Sequence, residues 1–96
     1  MTDLTIKFTD QLGKALVDAD GDVTLAKVIT TALLSPMEDD KTISGQEKAD
    51  LFNLWFDKIK DNKEADLTSE DKVLIKERVG KAYAQIIVGQ VFKILK

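Results

Sequence analysis

Histidine and cysteine are both absent from this chain of 96 residues. Without histidine, the protein lacks the side chain best suited to proton transfer near neutral pH. Without cysteine, it can form neither a disulfide nor a thiolate metal site. We therefore expect a protein that is not an enzyme, with no catalytic residues, no metal ligands, no cofactor and no small-molecule substrate.

Long apolar runs are missing too. None exceeds three residues, as in Ile86-Ile87-Val88, whereas a membrane span needs about 20. The first residues also lack the basic region and apolar stretch of a signal peptide. These absences predict a protein that does not enter a membrane and that acts in the cytoplasm.

Proline and glycine are scarce, with one and five residues respectively. The chain is 44% hydrophobic and 32% charged, which is typical of a folded globular domain and not of a disordered segment. We expect residues 1–96 to form a single domain.

The N-terminal part has the pattern of short strands. Apolar and polar residues alternate over 4–8, and the polar segment 9–14 predicts a turn in which Gly13 can take a positive φ. A second short strand over 15–17 would complete a β-hairpin. The alternative for residues 1–23 is an extended arm.

The rest of the chain has helical periodicity. In the first helical segment, Leu25, Val28 and Ile29 recur at the spacing of one buried face, and Pro36 ends the helix. Three further segments downstream have the same helical periodicity. The predicted helices span residues 24–35, 45–60, 69–79 and 82–95.

The second helix begins at a capping box, Ser44-Gly45-Gln46-Glu47. Its α-helical spacing places Ala49, Phe52, Phe56 and Ile59 on one stripe, which we expect to face the core.

A glycine at position 80 follows the third helix and is a plausible stop signal. Either one long helix bends at Gly80, or two helices meet there, and we favour two.

These elements predict a mainly α domain with minor β structure, in which a hairpin or arm packs on three to four helices. The predicted core contains Val28, Ile29, Leu33, Phe52, Phe56, Ile59, Leu74, Ile75, Tyr83, Ile87 and Val91.

Some apolar residues are candidates for a protein interface. Trp55 lies beside Leu51 at the edge of the predicted stripe, and an exposed tryptophan is a good anchor for a partner. The last helix is apolar over more than one face, which makes Val88 and Leu95 further candidates. We expect a protein partner or self-association.

Basic residues concentrate in the C-terminal third. Lys72, Lys76, Arg78 and Lys81 could form a patch that contacts phosphates or an acidic protein. The alternative is that they coat the solvated side of an amphipathic helix. The net charge of −3 makes nucleic acid the less favoured partner.

Two acidic segments invite comparison with metal sites. Asp18, Asp20 and Asp22 resemble the start of a calcium loop, but Val23 and Ile29 stand where that loop needs glycine and glutamate. A solvated turn is the favoured interpretation, and the segment 38–40 is interpreted as a solvated linker.

Several segments together resemble small proteins encoded by tailed bacteriophages and prophages. They are Leu33-Leu34-Ser35-Pro36, Ser44-Gly45-Gln46-Glu47-Lys48, Asp66-Leu67-Thr68-Ser69-Glu70-Asp71, Leu74-Ile75-Lys76, Gly80-Lys81-Ala82-Tyr83 and Val88-Gly89-Gln90. The resemblance implies a protein that acts inside a bacterial cell during infection or lysogeny. Phage proteins of this size commonly bind another protein, as virion assembly factors or modulators of host machinery. A small nucleic-acid-binding regulator is the alternative.

Overall fold

The computed structural model describes residues 1–37 and 41–96, and this part of the chain contains four α-helices and two small two-stranded sheets. The mainly α fold with minor β structure is therefore confirmed. The linker predicted at 38–40 lies outside the described residues. The helices are α1 (Leu25–Leu34), α2 (Gly45–Leu54), α3 (Ser69–Ala82) and α4 (Gln85–Ile94), and a π-helical turn, Trp55–Ile59, continues α2 directly.

The N-terminal segment pairs with more than one part of the chain. Strand β1 (Thr2–Asp3) is antiparallel to β4 (Glu64–Ala65), and β2 (Val17–Asp18) is antiparallel to β3 (Gly21–Asp22). The predicted pairing across the turn at 9–14 is present as an antiparallel bridge between Thr9 and Ala15, and the Leu16 N–H donates to the Phe8 carbonyl at 2.9 Å. Strand β1, by contrast, pairs with a segment that follows the second helix.

The turn predicted at 9–14 is present. Gly13 has a φ of 80°, and its N–H donates to the Asp10 carbonyl at 3.0 Å. At the start of this turn, the Gln90 side chain of α4 donates to the Thr9 carbonyl at 2.9 Å and accepts from the Thr9 N–H at 3.1 Å. The Gln90 amide thus pairs with both backbone polar groups of Thr9, as a neighbouring strand would, and fixes the N-terminal segment to α4.

Helix α1 is the centre of the fold, since it packs on α3, α2 and the π-helical turn. It begins at Thr24, whose hydroxyl accepts from the Lys27 N–H at 3.4 Å. Its predicted apolar face is the buried one. The buried residues of α1 are Leu25, Val28, Ile29, Ala32 and Leu33.

A buried arginine holds the C-terminal end of α1. Arg78 is only 5% exposed, and it donates from Nε to the Ala32 carbonyl at 2.9 Å and from Nη2 to the Ser35 carbonyl at 3.1 Å. The last carbonyls of a helix have no partner within it, so a buried guanidinium stabilises this end. Placing Arg78 in a surface basic patch was wrong, because its charge is directed into the protein.

The boundary between α3 and α4 differs from the predicted one. Gly80 lies inside α3, which continues to Ala82. The chain leaves helical geometry at Tyr83 and Ala84, where ψ is 158° and 167°. The prediction of two helices holds, but a stop at Gly80 is wrong, because this glycine keeps helical geometry and a glycine inside a helix costs only about 1 kcal/mol.

Most of the predicted core is buried. Leu74 and Tyr83 are only partly buried, whereas Phe52 and Phe56 are exposed, so their assignment to the core was wrong. The predicted core residues that are buried are Val28, Ile29, Leu33, Ile59, Ile75, Ile87 and Val91.

A capping box fixes the start of α3. The Thr68 hydroxyl accepts from the Asp71 N–H at 3.1 Å, and the Asp71 carboxylate accepts from the Thr68 N–H at 3.0 Å and from Lys58 Nζ at 2.5 Å. Partial burial by itself raises the pKa of Asp71, but the Lys58 ammonium and the Thr68 donors outweigh it and hold the pKa below its usual value. The same carboxylate therefore caps α3 and links it to the π-helical turn.

Replacing Arg78 by methionine should destabilise the fold. Arg78→Met keeps a long side chain but removes both hydrogen bonds to the end of α1, so we expect a loss of roughly 2 to 3 kcal/mol in the free energy of unfolding. Urea denaturation followed by circular dichroism measures it. The control Lys93→Met, on the exposed side of α4, should change the value by less than about 0.5 kcal/mol. Equal effects of the two substitutions would contradict the role of Arg78.

Replacing Asp71 by asparagine should remove a pH-dependent part of the stability. Because the folded pKa lies below the unfolded value of about 3.9, the carboxylate stabilises the fold above that pH, and this stabilisation disappears as the pH falls through the folded pKa. Asp71→Asn should therefore cost about 1 kcal/mol at pH 7 and progressively less below pH 4. Urea denaturation at several pH values tests this, with the exposed Asp57→Asn as control. A difference that persists unchanged in acid would argue against it.

Candidate protein-binding surface

One wide turn of helix decides which side of α2 is exposed. The Lys60 N–H donates to the Trp55 carbonyl at 2.9 Å, a bond from residue i+5 to residue i that defines a π-helical turn. Such a turn holds more residues than the 3.6 of an α-helix, so each residue rotates by less than about 100°.

The reduced rotation brings Ile59 back to the core. In a continuous α-helix, Ile59 would lie about 140° around the axis from Leu54. In the structure Leu51, Leu54 and Ile59 are all buried, with exposures of 7%, 9% and 2%. Phe52 and Phe56 consequently face outwards, and 48% and 51% of their surface is exposed.

We call Lys48, Phe52, Phe56 and Lys60 the aromatic stripe. Phe52 and Phe56 are stacked, with ring centroids 5.7 Å apart and an interplanar angle of 26°. Lys60 Nζ lies 5.0 Å from the centroid of Phe56, within the range of a cation–π contact. The stripe therefore combines two exposed aromatic rings with a lysine at each end.

Trp55 supports the stripe from the side of α1. Its ring centroid is 5.8 Å from that of Phe52 and 6.4 Å from that of Phe56. Its indole N–H donates to the Thr30 hydroxyl at 3.1 Å, and that hydroxyl donates to the Ala26 carbonyl at 2.7 Å. Trp55 is half-buried, and these bonds fix it against α1, so it holds the two phenylalanines in place.

A groove of about 360 Å³ lies between the stripe and the end of α1. Leu34, 40% exposed, forms one wall with Pro36, and Phe52 forms the opposite wall with Lys48. Among the described residues that line this apolar groove, the charged side chains are Lys48 and Arg78, and there is no carboxylate. The groove therefore extends the apolar surface of the stripe, and Lys48 places an ammonium group at its edge.

A second cleft, of about 500 Å³, lies on the other side of Trp55. One of its walls contains Asp18, which accepts from the Asp20 N–H at 2.8 Å and from Lys27 Nζ at 3.2 Å. The Asp20 N–H and the Lys27 ammonium lower the pKa of Asp18. Asp22 instead forms an ion pair with Lys7 at 3.0 Å. Within 1–37 and 41–96, no three acidic residues are grouped so that they could hold a metal ion.

Two of the residues predicted to form a protein interface are buried. Leu51 is buried by the rotation of α2, and Leu95 is fully buried directly after the end of α4, so neither can contact a partner. Val88 is half-buried, like Trp55. The exposed apolar residues of α4 are Ile86 and Phe92 instead.

The predicted basic residues do not form one face. Lys76 Nζ lies 5.4 Å from the Phe92 ring centroid, and Lys72 donates to the Lys96 carbonyl at 3.5 Å, so both lie beside α4. Lys81 instead lies 3.7 Å from the Glu77 carboxylate. Lys72 and Lys76 thus lie on the side of α3 next to α4, whereas Arg78 is buried and Lys81 lies beside Glu77.

The sequence pattern misses the aromatic stripe because it assigns both phenylalanines to the core. A signal for it is nevertheless present: Lys48, Phe52, Phe56 and Lys60 recur at intervals of four residues. Such spacing places residues along one side of a helix. It cannot say whether that side is buried or exposed.

No protein-family model, curated protein or solved structure matches the chain. Within the described ranges, no helix is both long enough and apolar enough to cross a membrane. The role of the aromatic stripe is therefore inferred from its exposure, contacts and charges.

Alanine substitutions on the two sides of α2 should destabilise the fold by different amounts. Leu51→Ala removes a buried side chain and should lower the free energy of unfolding by about 2 to 4 kcal/mol. Phe52→Ala, although it removes more atoms, should cost at most about 1 kcal/mol because half of its surface is already in water. Urea denaturation of both variants measures the two losses in the free energy of unfolding. The reverse order of the two losses would show that α2 packs through the other stripe.

Proposed function

We propose that this protein is a non-catalytic protein-interaction module, which binds another protein through the aromatic stripe and the apolar groove. The observation that carries the proposal is the exposure of two stacked phenylalanines beside an apolar groove. Isolated apolar residues are common on protein surfaces. Phe52 and Leu34 instead line one groove, and Phe56 is stacked on Phe52. Contiguous apolar patches of this kind mark interaction sites.

The stripe is also well ordered for binding. Aromatic side chains have few rotatable bonds, so little conformational entropy is lost when a partner covers them. Phe52 and Phe56 touch each other and Trp55, and the bond to Thr30 fixes Trp55. These contacts favour a surface that is largely preformed before the partner arrives.

The chemistry of the chain supports binding over catalysis. Imidazole and thiol groups are absent from the sequence, and the carboxylates of Asp3, Asp18 and Asp71 bind nearby backbone N–H groups. The resemblance to phage proteins supports a role in the bacterial cytoplasm, as a virion assembly factor or as a modulator of host machinery. Nucleic-acid binding has less support, because Arg78 is buried and Lys81 lies against Glu77.

Recovery of a partner from bacterial lysate should depend on the phenylalanine pair. The tagged protein is compared with the double variant Phe52→Ser/Phe56→Ser and with the control Val73→Ser. Val73 is 62% exposed, on α3. A specific partner should be recovered by the wild type and the control, and about tenfold less by the double variant, because aromatic anchors carry much of an interface's free energy.

The recovered protein is then purified and titrated directly, and its dissociation constant should rise about tenfold or more with the double variant. Circular dichroism checks that each variant is folded. If the pair changes neither the recovery nor the affinity of any protein, the proposed function is wrong.

A further inference from the structure

We infer that the segment which binds the aromatic stripe is an acidic amphipathic one: apolar side chains with carboxylates at both ends, supplied by a different protein. This inference rests on the proposed function and specifies the chemistry of its partner. It is carried by the distribution of charge along the stripe.

The two phenylalanines lie between two ammonium groups. Lys48 lines the apolar groove beside Phe52, and Lys60 lies over the ring of Phe56. Twelve residues separate the lysines, which is roughly 18 Å along a helix. A partner that places apolar side chains on the rings would set its ends against these two cations, so carboxylates about 18 Å apart complement the stripe.

The acidic residue Asp50 lies on another side of the same helix. Asp50 is about 160° around the axis from Phe52, and it accepts a hydrogen bond from Gln46 at 2.8 Å. Asp61 has a φ of 58° and lines the cleft beyond Trp55, which Lys60 also lines. The net charge of the chain is −3, yet both charged side chains of the stripe are lysines.

A second copy of this chain does not fit the same charges. Two-fold symmetry places the stripe of one copy against the stripe of the other. Antiparallel stripes bring Lys48 against Lys60 at both ends, and parallel stripes bring each lysine against its own counterpart. Both arrangements juxtapose like charges, which penalises association.

A pair of synthetic peptides tests the inference. Both are helical, 17 residues long and free of tryptophan, with leucines along one face; one has glutamates at its two ends and the other has lysines. The chain has a single tryptophan, so Trp55 emission reports binding next to the stripe. We expect the glutamate peptide to shift this emission to shorter wavelength, with a dissociation constant about tenfold below that of the lysine peptide at low salt.

Charge reversal provides the matched control. Lys48→Glu/Lys60→Glu should invert the preference between the two peptides. Lys14→Glu/Lys93→Glu, which makes the same change in net charge at exposed positions elsewhere, should leave it unchanged. Phe52→Ser/Phe56→Ser should abolish binding of both peptides.

Several outcomes would overturn the inference: no binding of either peptide, equal affinities, or the same response in both charge-reversed variants. A dimer seen by light scattering that the phenylalanine substitutions dissolve would assign the stripe to a second copy instead. Phenylalanine-dependent sedimentation with anionic lipid vesicles would assign it to a membrane surface. If lysate recovery depends on the phenylalanines but the peptides are not discriminated, the inference fails and the proposed function stands.

Discussion

The hydrogen bond from the Lys60 N–H to the Trp55 carbonyl sets the rotation of the helix that presents the aromatic stripe. One wide turn returns Ile59 to the core face already occupied by Leu51 and Leu54. With three aliphatic residues facing inwards, the phenylalanines are left on the outside. A helix without this turn would direct Ile59 to the same side as the phenylalanines. The local geometry of five residues therefore determines the surface of the domain.

The groove beside the stripe depends on contacts at the C-terminal end and near the middle of α1. Arg78 binds the Ala32 and Ser35 carbonyls and so fixes the end of α1, next to Leu34. Near the middle of α1, Thr30 accepts the hydrogen bond from Trp55. Burying a guanidinium is costly unless its donors are bonded, and here the unsatisfied carbonyls of a helix end are suitable acceptors. The same bonds that stabilise the fold thus hold the groove open between two fixed elements.

Sequence patterns predict this fold where the determinants are local. The Ser44 hydroxyl accepts from the Glu47 N–H at the start of α2, where the sequence predicts a cap, and the apolar periodicity of α1 correctly identifies its buried face. The patterns fail where distant contacts decide. Helix α2 has apolar residues on two sides, and packing against α1 together with the π-helical turn buries the Leu51 side. The sequence predicts that Arg78 is a surface residue, because only the fold places the end of α1 beside it. Strand β1 pairs with β4 some 60 residues away, which alternation alone cannot specify.

The thin core of a small domain makes the exposure of the phenylalanines significant. A chain of this length buries only about two thirds of its unfolded surface, and full burial of one phenylalanine would stabilise it by roughly 2 to 3 kcal/mol. Phe52 and Phe56 are both exposed, so part of this stabilisation is missing at each of them. A partner that covers both rings recovers the apolar contribution at the interface, where it favours complex formation. Because lysines bound the rings at both ends, the partner that recovers most of it is one that also supplies carboxylates there.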